Sequence, residues 1–330
     1  MSLRDSKGPA REPVVDVEEG HLPVMVEEVM AALSPAPGSF HIDATVGGGG
    51  HALRVLEAAM PHGRLLGIDA DASAIARTSR RLERFGEAVV LRQAGFERLR
   101  EVATEAGFSQ VDGILFDLGL SSHQLADPSR SFSFRSDGPL DMRFDSADGK
   151  PASALVAEMD ERDLMILLRR FGEEPHARRI SHAIVTQRQA QPIDTGVRLA
   201  EVVAGALPAQ RRGRLRSHPA TRVFQALRIA VNRELEQLPV ALDAAVDLLR
   251  PGGRLAVLAY HSLEDRIVKR FVVTERRGCV CPPESPICMC GRAPRLAPLG
   301  RQPLRPSDAE VAANPRSRSA RLRVAARLAA

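Results

Sequence analysis

Between Phe40 and Leu53 the chain reads F-H-I-D-A-T-V-G-G-G-G-H-A-L, and few folds accommodate such a stretch. Phe40, Ile42 and Ala44 alternate with polar residues, the period of a half-buried strand. Four glycines follow, Gly47 to Gly50, and then Ala52, Leu53, Leu56 and Ala59 recur at helical spacing. The expected unit is strand, tight turn, helix. Glycine lets the backbone take positive φ and lets a ligand approach closely. The new helix offers unpaired N–H groups and its positive dipole end. A second apolar strand ends in Asp69, 22 residues after Gly47. A glycine turn followed by an acid about 20 residues on is the pattern that holds an adenosine ribose.

Around this unit, strands and helices alternate. A helix is expected over Val26–Leu33. Strands are expected at Leu65–Asp69, Ala88–Arg92 and Val111–Asp117, with helices from Asp71 to Phe85 and from Phe96 to Gly107. Such alternation predicts an α/β fold with a mostly parallel, Rossmann-like sheet and ligands at the strands' carboxyl ends. Asp43, Asp69 and Asp117 all fall there. One such Asp reads equally well as a helix cap; three around one glycine turn point to a crevice.

The rhythm breaks after Asp127. From Ala152 to Arg233 every periodic segment reads as helix, ending with one helix over Ala220–Glu236. Residues 128–233 are therefore expected to form an all-helical insert between two parts, 21–127 and 234–330, of one α/β domain, behind a disordered lead at 1–20. The α/β pattern resumes with a helix over Pro239–Leu249, a strand over Arg254–Ala259 and a helix over Glu264–Arg277. Ala320–Ala325 reads as a last, edge strand.

Formal net charge is +5, which suits a polyanionic partner. No apolar run is long enough to cross a membrane and Met1 to Gly20 carries no apolar signal core, so a cytoplasmic protein is expected. Seven arginines and no acid lie between Glu201 and Glu234. Of these, Arg211, Arg212, Arg214 and Arg222 are the candidate phosphate contacts, against the alternative of a solvated face. Phe132, Phe134 and Arg135 either stack on an unpaired base or pack the insert. Cys279, Cys281, Cys288 and Cys290 read C-x-C-x6-C-x-C within twelve residues. Four clustered thiols suggest a structural tetrahedral zinc; a reduced surface loop or a reversible disulfide reads at least as well, since C-x-C pairs are tighter than the usual ligand spacing.

Gly47 to Ala52 also satisfies G-x-G-x-x-A, so a nicotinamide-dependent dehydrogenase stays open, as does a non-catalytic RNA-binding factor. Six blocks carry a narrower resemblance: His21-Leu22-Pro23-Val24; Asp43 to His51; Asp117-Leu118-Gly119-Leu120-Ser121-Ser122-His123-Gln124; Phe132 to Arg143; His218 to Arg222; and His261 to Arg266. In that order they resemble the ribosomal RNA small subunit methyltransferase H family. The resemblance implies a class I methyltransferase fold and the use of S-adenosyl-L-methionine. It implies methylation of cytidine N4 in the P-site region of 16S rRNA within the small ribosomal subunit. It further implies cofactor contacts from Gly49, Gly50, His51, Asp69, Phe96, Asp117 and Gln124. Many amino methyltransferases carry (Asn/Asp/Ser)-Pro-Pro-(Tyr/Phe) after strand four, whereas this chain has Asp117-Leu118-Gly119-Leu120. Candidates for the group that accepts the N4 hydrogen are Asp117, Ser121 and His261; for His261, capping the following helix is an equal reading.

Overall fold

The computed structural model describes residues 23–207, 218–282 and 287–329. The expected lead at 1–20 and Arg211, Arg212 and Arg214 lie outside them. In chain order the first half contains α1 (Val26–Leu33), β1 (Phe40–Asp43), α2 (Gly50–Ala59), β2 (Arg64–Asp69), α3 (Ala72–Leu82), β3 (Val89–Gln93), α4 (Leu99–Glu105) and β4 (Val111–Asp117). Next come α5 (Ser122–Ala126), α6 (Ala152–Glu158), α7 (Glu161–Gly172), α8 (Ala177–Ala190), α9 (Gly196–Ala206), α10 (Thr221–Asn232) and α11 (Glu234–Leu248). The chain closes with β5 (Leu249–Ala259), α12 (Ser262–Arg277), β6 (Leu296–Pro298), α13 (Asp308–Ala313) and β7 (Arg321–Arg327).

The seven strands form one sheet in the order β3-β2-β1-β4-β5-β7-β6. The first five are parallel, and β7 runs antiparallel between β5 and β6. Consecutive core residues turn to opposite faces, as the strand period requires. Leu66, Ile114 and Leu255 join the core beneath α4, α11 and α12. Leu65, Leu115 and Ala256 join the one beneath α1 and α2. The chain moves outward from β1 to β3 and then returns to β4. Ligands of open α/β sheets bind where strand order reverses, here the crevice between the carboxyl ends of β1 and β4.

A third core runs from Phe132 to Leu227 and is built wholly from the helical stretch, with Leu140, Leu164, Ile180, Leu199 and Val223 at its centre. Two expectations are corrected. The helix expected over Ala220–Glu236 is two helices, because Arg233 takes the left-handed conformation at φ 52° and ends α10 before α11 begins. β7 is not an edge strand: the three-residue β6, from a stretch that reads as loop, covers it.

α12 is fixed to the sheet by charge. Asp265 accepts from Arg323 at 2.7 Å and from Arg321 at 3.0 Å. The neighbouring Arg266 reaches Glu173. Asp265 and Arg323 are both buried. Removing one partner of a buried pair leaves an uncompensated charge, at a cost of about 3–5 kcal/mol. Asp265→Ala is therefore expected to lower the urea midpoint steeply, and adding Arg323→Met is expected to recover much of the loss; an Asp265→Ala midpoint equal to wild type would refute this.

Candidate active site

The turn after β1 is held from three sides. The Gly47 N–H donates to Asp69 Oδ2 at 2.8 Å, while Asp69 Oδ1 accepts from the Asp71 N–H at 2.9 Å. From α3, Thr78 donates to the Gly47 carbonyl and Arg81 to the Gly48 carbonyl. Gly47 and Gly49 have φ of 53° and 75°, which disfavour a side chain. At Gly50 the constraint is space: a Cβ would sit 2.4 Å from Pro23 Cγ.

These elements open onto a cavity of about 800 Å³, reaching from Pro23 across the glycine turn to Phe96 on one side and Tyr260 on the other. Gly47, Gly48, Gly50, His51, Asp69, Phe96, Asp117, Ser121 and Gln124 all line it. Gly49 does not; it backs onto Thr78. Phe96 packs edge-on against Phe116 and gives the wall a flat apolar panel.

Three strand-end carboxylates share this cavity. Burial pushes Asp43 up to about 8, and the nearby charges of Asp117 and Asp69 add to it, against a hydrogen bond from the Thr45 N–H. Burial also raises Asp69 to about 6, opposed by its two backbone N–H donors. Asp117 rises to about 6 through burial, opposed by the Tyr260 hydroxyl, which donates to Oδ1 at 2.7 Å. His51 Nε2 lies 3.6 Å from Asp117 Oδ2. Burial lowers this imidazole to about 4, so it is neutral near pH 7. A wall with three poorly compensated carboxylates favours a cation.

Several side chains here were not singled out from the sequence. Tyr260 is one; it follows the β5 run directly, so the strand-end rule that marks Asp117 would have found it. Asp71 is another. It accepts from Gln124 Nε2 at 3.2 Å and Arg130 at 3.0 Å, tying α3 to the entry of the helical stretch. On the far wall, Arg228 donates to both oxygens of Glu234 at 2.8 and 3.0 Å and lies 3.8 Å from Glu264. Arg228 thus leaves the set of arginines free to meet phosphate.

The remaining candidates fall as follows. Ser121 caps α5 and, with Gln124, forms a reciprocal capping box, its Oγ accepting the Gln124 N–H at 3.2 Å. His261 caps α12 in the same manner with Glu264 and does not line the cavity, so the capping reading is the one its geometry supports. Phe134 stacks on His218 with centroids 4.1 Å apart and planes 7° from parallel, and meets Phe224 edge-on. Phe132 is buried against Phe144. Both rings serve the core of the helical stretch. Arg135 is exposed, 5.9 Å from the Phe134 centroid. Arg222 is exposed and donates to the Glu173 carbonyl. The four cysteines lie together on the surface, away from the cavity.

Comparison with known proteins narrows what such a cavity serves. The family model described as MraW methylase family matches residues 18–328. A protein of Thermomicrobium roseum named ribosomal RNA small subunit methyltransferase H is 52% identical over 309 residues, covering 94% of each chain. Proteins of the same name from Symbiobacterium thermophilum and Syntrophotalea carbinolica are 48% and 49% identical, covering 94% and 93% of this chain and 97% and 98% of theirs. With its parallel sheet, antiparallel β7 and crevice at the β1–β4 switch, this chain has the class I methyltransferase fold and belongs to the MraW methylase family.

Proposed function

We propose that this protein transfers a methyl group from S-adenosylmethionine to N4 of a cytidine in the P-site region of 16S rRNA, as part of the small ribosomal subunit. The observation that carries the reading is the set of three strand-end carboxylates around one glycine turn, Asp43 buried and Asp69 and Asp117 half-buried, all lining one cavity. That cofactor bears a sulfonium and an ammonium, the charges such a wall lacks. A nicotinamide dinucleotide would bring a pyrophosphate into the same acidic wall, which disfavours the dehydrogenase reading. The cavity volume lies in the upper part of the range of roughly 300–1,000 Å³ for small-molecule sites, leaving room beside one nucleoside.

The residues fit the cofactor. Asp69 retains acceptor capacity toward ribose hydroxyls while bracing the turn. Phe96 offers a face for the adenine. The Gly48 and Gly50 backbone faces the methionine end, where Asp43 supplies the countercharge to its ammonium. Bound there, the cofactor supplies an activated methyl on sulfur. Asp117 is the acceptor best placed for the target amine: Tyr260 fixes one oxygen, and the other faces the cavity beside neutral His51. As the amine takes up the methyl that the cofactor would supply, Asp117 would receive the proton that N4 sheds. A carboxylate near pH 6 is a stronger base than an ordinary one and is still ionised at pH 7. In-line placement by the walls supplies much of the acceleration, at most roughly 7–11 kcal/mol in well-oriented cases.

Residues 128–233 are the substrate domain in this reading, receiving a cytidine that has left its stack. Arg135 and Arg222 carry the phosphate contacts among the described residues, with Arg211, Arg212 and Arg214 in the neighbouring segment.

The decisive test is nucleoside mass spectrometry of 16S rRNA after incubating small subunits with protein and cofactor. N4-methylcytidine is expected, and it disappears with Asp117→Asn; a methyl on another base atom, or none, refutes the assignment.

Cofactor affinity carries its own expectations. Asp69→Ala removes charge-assisted hydrogen bonds worth about 1.5–3 kcal/mol, so calorimetry should find binding weakened roughly 10- to 150-fold. A cationic ligand favours ionised carboxylates. Below pH 6 Asp69 and Asp117 are largely protonated and binding is weak; it tightens as pH rises through 6, by about tenfold per unit for each proton released. Asp43, protonated until about pH 8, gives up its proton on binding, so titrations near pH 7 in two buffers of different ionisation enthalpy should register release. A pH-independent affinity would contradict this.

Tyr260→Phe removes the donor that holds Asp117 down. The acid limb of the kcat profile is expected to move to higher pH, with the cofactor KM little changed at pH values well above that limb, where Asp117 is ionised in both. An unshifted limb would show that Asp117 does not take the proton.

A further inference from the structure

The four cysteines occupy the connection between α12 and β6, and none of them lines the cavity. All four thiols are free. Their sulfurs lie within 4.8 Å of one another. Cys288 Sγ is 3.4 Å from Cys279 Sγ, 3.6 Å from Cys290 Sγ and 4.0 Å from Cys281 Sγ. Four sulfurs at about 2.3 Å from a tetrahedral zinc sit about 3.8 Å apart. The observed separations bracket that value and are far longer than a disulfide bond.

The loop has little else to hold it. Val280, Ile287 and Met289 are 49%, 73% and 88% exposed. Among the described residues from Val280 to Gly291 none is buried. Ordering a loop costs roughly 1–2 kcal/mol per residue in backbone entropy, which no apolar burial here offsets. Its ends, by contrast, are clamped. The Arg295 N–H donates to the Glu275 carbonyl at 2.8 Å, and Arg292 and Arg295 both pair with the Glu275 carboxylate. Gly278, at φ 71°, lets the two ends close, since a Cβ there would lie 2.5 Å from the Ala293 carbonyl carbon. Two fixed ends therefore present two C-x-C pairs to each other. In extended backbone, residues two apart face the same side, so each pair contributes both thiols to one centre. The Met289 N–H donates to Cys281 Sγ at 3.3 Å, an outer contact of the kind that orients a metal-bound thiolate.

We propose that Cys279, Cys281, Cys288 and Cys290 bind one zinc ion in a closed tetrathiolate site that holds the α12–β6 connection folded. All-thiolate donors select zinc or iron over magnesium and calcium. Four protein ligands leave no open position, which makes the site structural. It secures the segment leading into β6, the strand that covers β7.

The test uses the untagged full-length chain. Elemental analysis should find about one zinc per chain in wild type and less than about a tenth of that in Cys279→Ser/Cys288→Ser, which removes one ligand from each pair. Cobalt-substituted protein should show the ligand-field bands of a tetrahedral tetrathiolate centre. A chelator should lower the melting temperature and open the 278–292 segment to protease in wild type, with no further effect on the double variant. Affinity for S-adenosylmethionine should be the same in both, which separates this result from the fate of the proposed function. Folded wild type without stoichiometric zinc and with four titratable thiols would overturn the proposal, as would a disulfide found by mass or an iron chromophore.

Discussion

The hydrogen bond from the Gly47 N–H to Asp69 fixes the rest of the site. It joins the turn after β1, at the rim of the β1–β4 crevice, to the end of β2. A glycine turn left to itself samples many conformations. Here one carboxylate takes two N–H donors and thereby sets both the turn and the start of α3. The same carboxylate is desolvated, and no lysine or arginine is paired with it at hydrogen-bond distance among the described residues. It shares its cavity with Asp43 and Asp117, and the charges of Asp117 and Asp69 add to the burial that raises Asp43. Such an arrangement is costly without a ligand, and one bearing a sulfonium and an ammonium would relieve it. Structure and binding thus draw on the same three acids.

The helical stretch is joined to this frame by polar networks at the rim of the cavity. Asp71, Gln124, Arg130 and Asp127 form one, at the exit of β4. Arg228, Glu234 and Glu264 form the other, where the chain returns through Arg233. Burial alone would raise Glu264, but His261 and Arg228 outweigh it and hold this carboxyl below the usual range. Burial prevails at Glu234, which is raised. Ionic contacts of this kind are directional, and they set the orientation of one packed body against another more than they stabilise it. Gln124 of the first network and all three residues of the second line the cavity, so the cavity wall and the seating of the helices share residues.

Most of this architecture was legible in the sequence because it is local. Strand period, helix period and the glycine run place β1 to β4 closely and find β5 and most of the helices, while the short α5 and α13 give no such signal. The strand-end rule finds Asp43, Asp69 and Asp117. What escaped depends on contacts far apart in the chain. β7 reads as an edge strand because nothing within Ala320–Ala325 reveals that Leu296–Pro298 pairs outside it. Arg233 breaks a continuous helical pattern by adopting a conformation that arginine rarely takes. His261 and Ser121 look equally suited to chemistry and to capping until the reciprocal bonds with Glu264 and Gln124 are seen. Phe134 has the composition of a base-stacking residue, yet His218, 84 positions away, covers its ring.

The antiparallel end of the sheet bears on the site through one continuous path. β7 brings Arg321 and Arg323 beneath α12, where Asp265 receives both. Asp265 lies in the first turn of that helix, beside Glu264, whose carboxylate accepts the Tyr260 N–H at 2.9 Å. Tyr260 in turn donates its hydroxyl to Asp117. A strand that never touches the cavity thus sets the position of the side chain that tunes its central acid. β7 can do this only while it is covered, because an open edge pairs with other chains. The cover is a three-residue strand, too short to hold itself, secured by Arg295 on Asp243, Asp247 and Glu275.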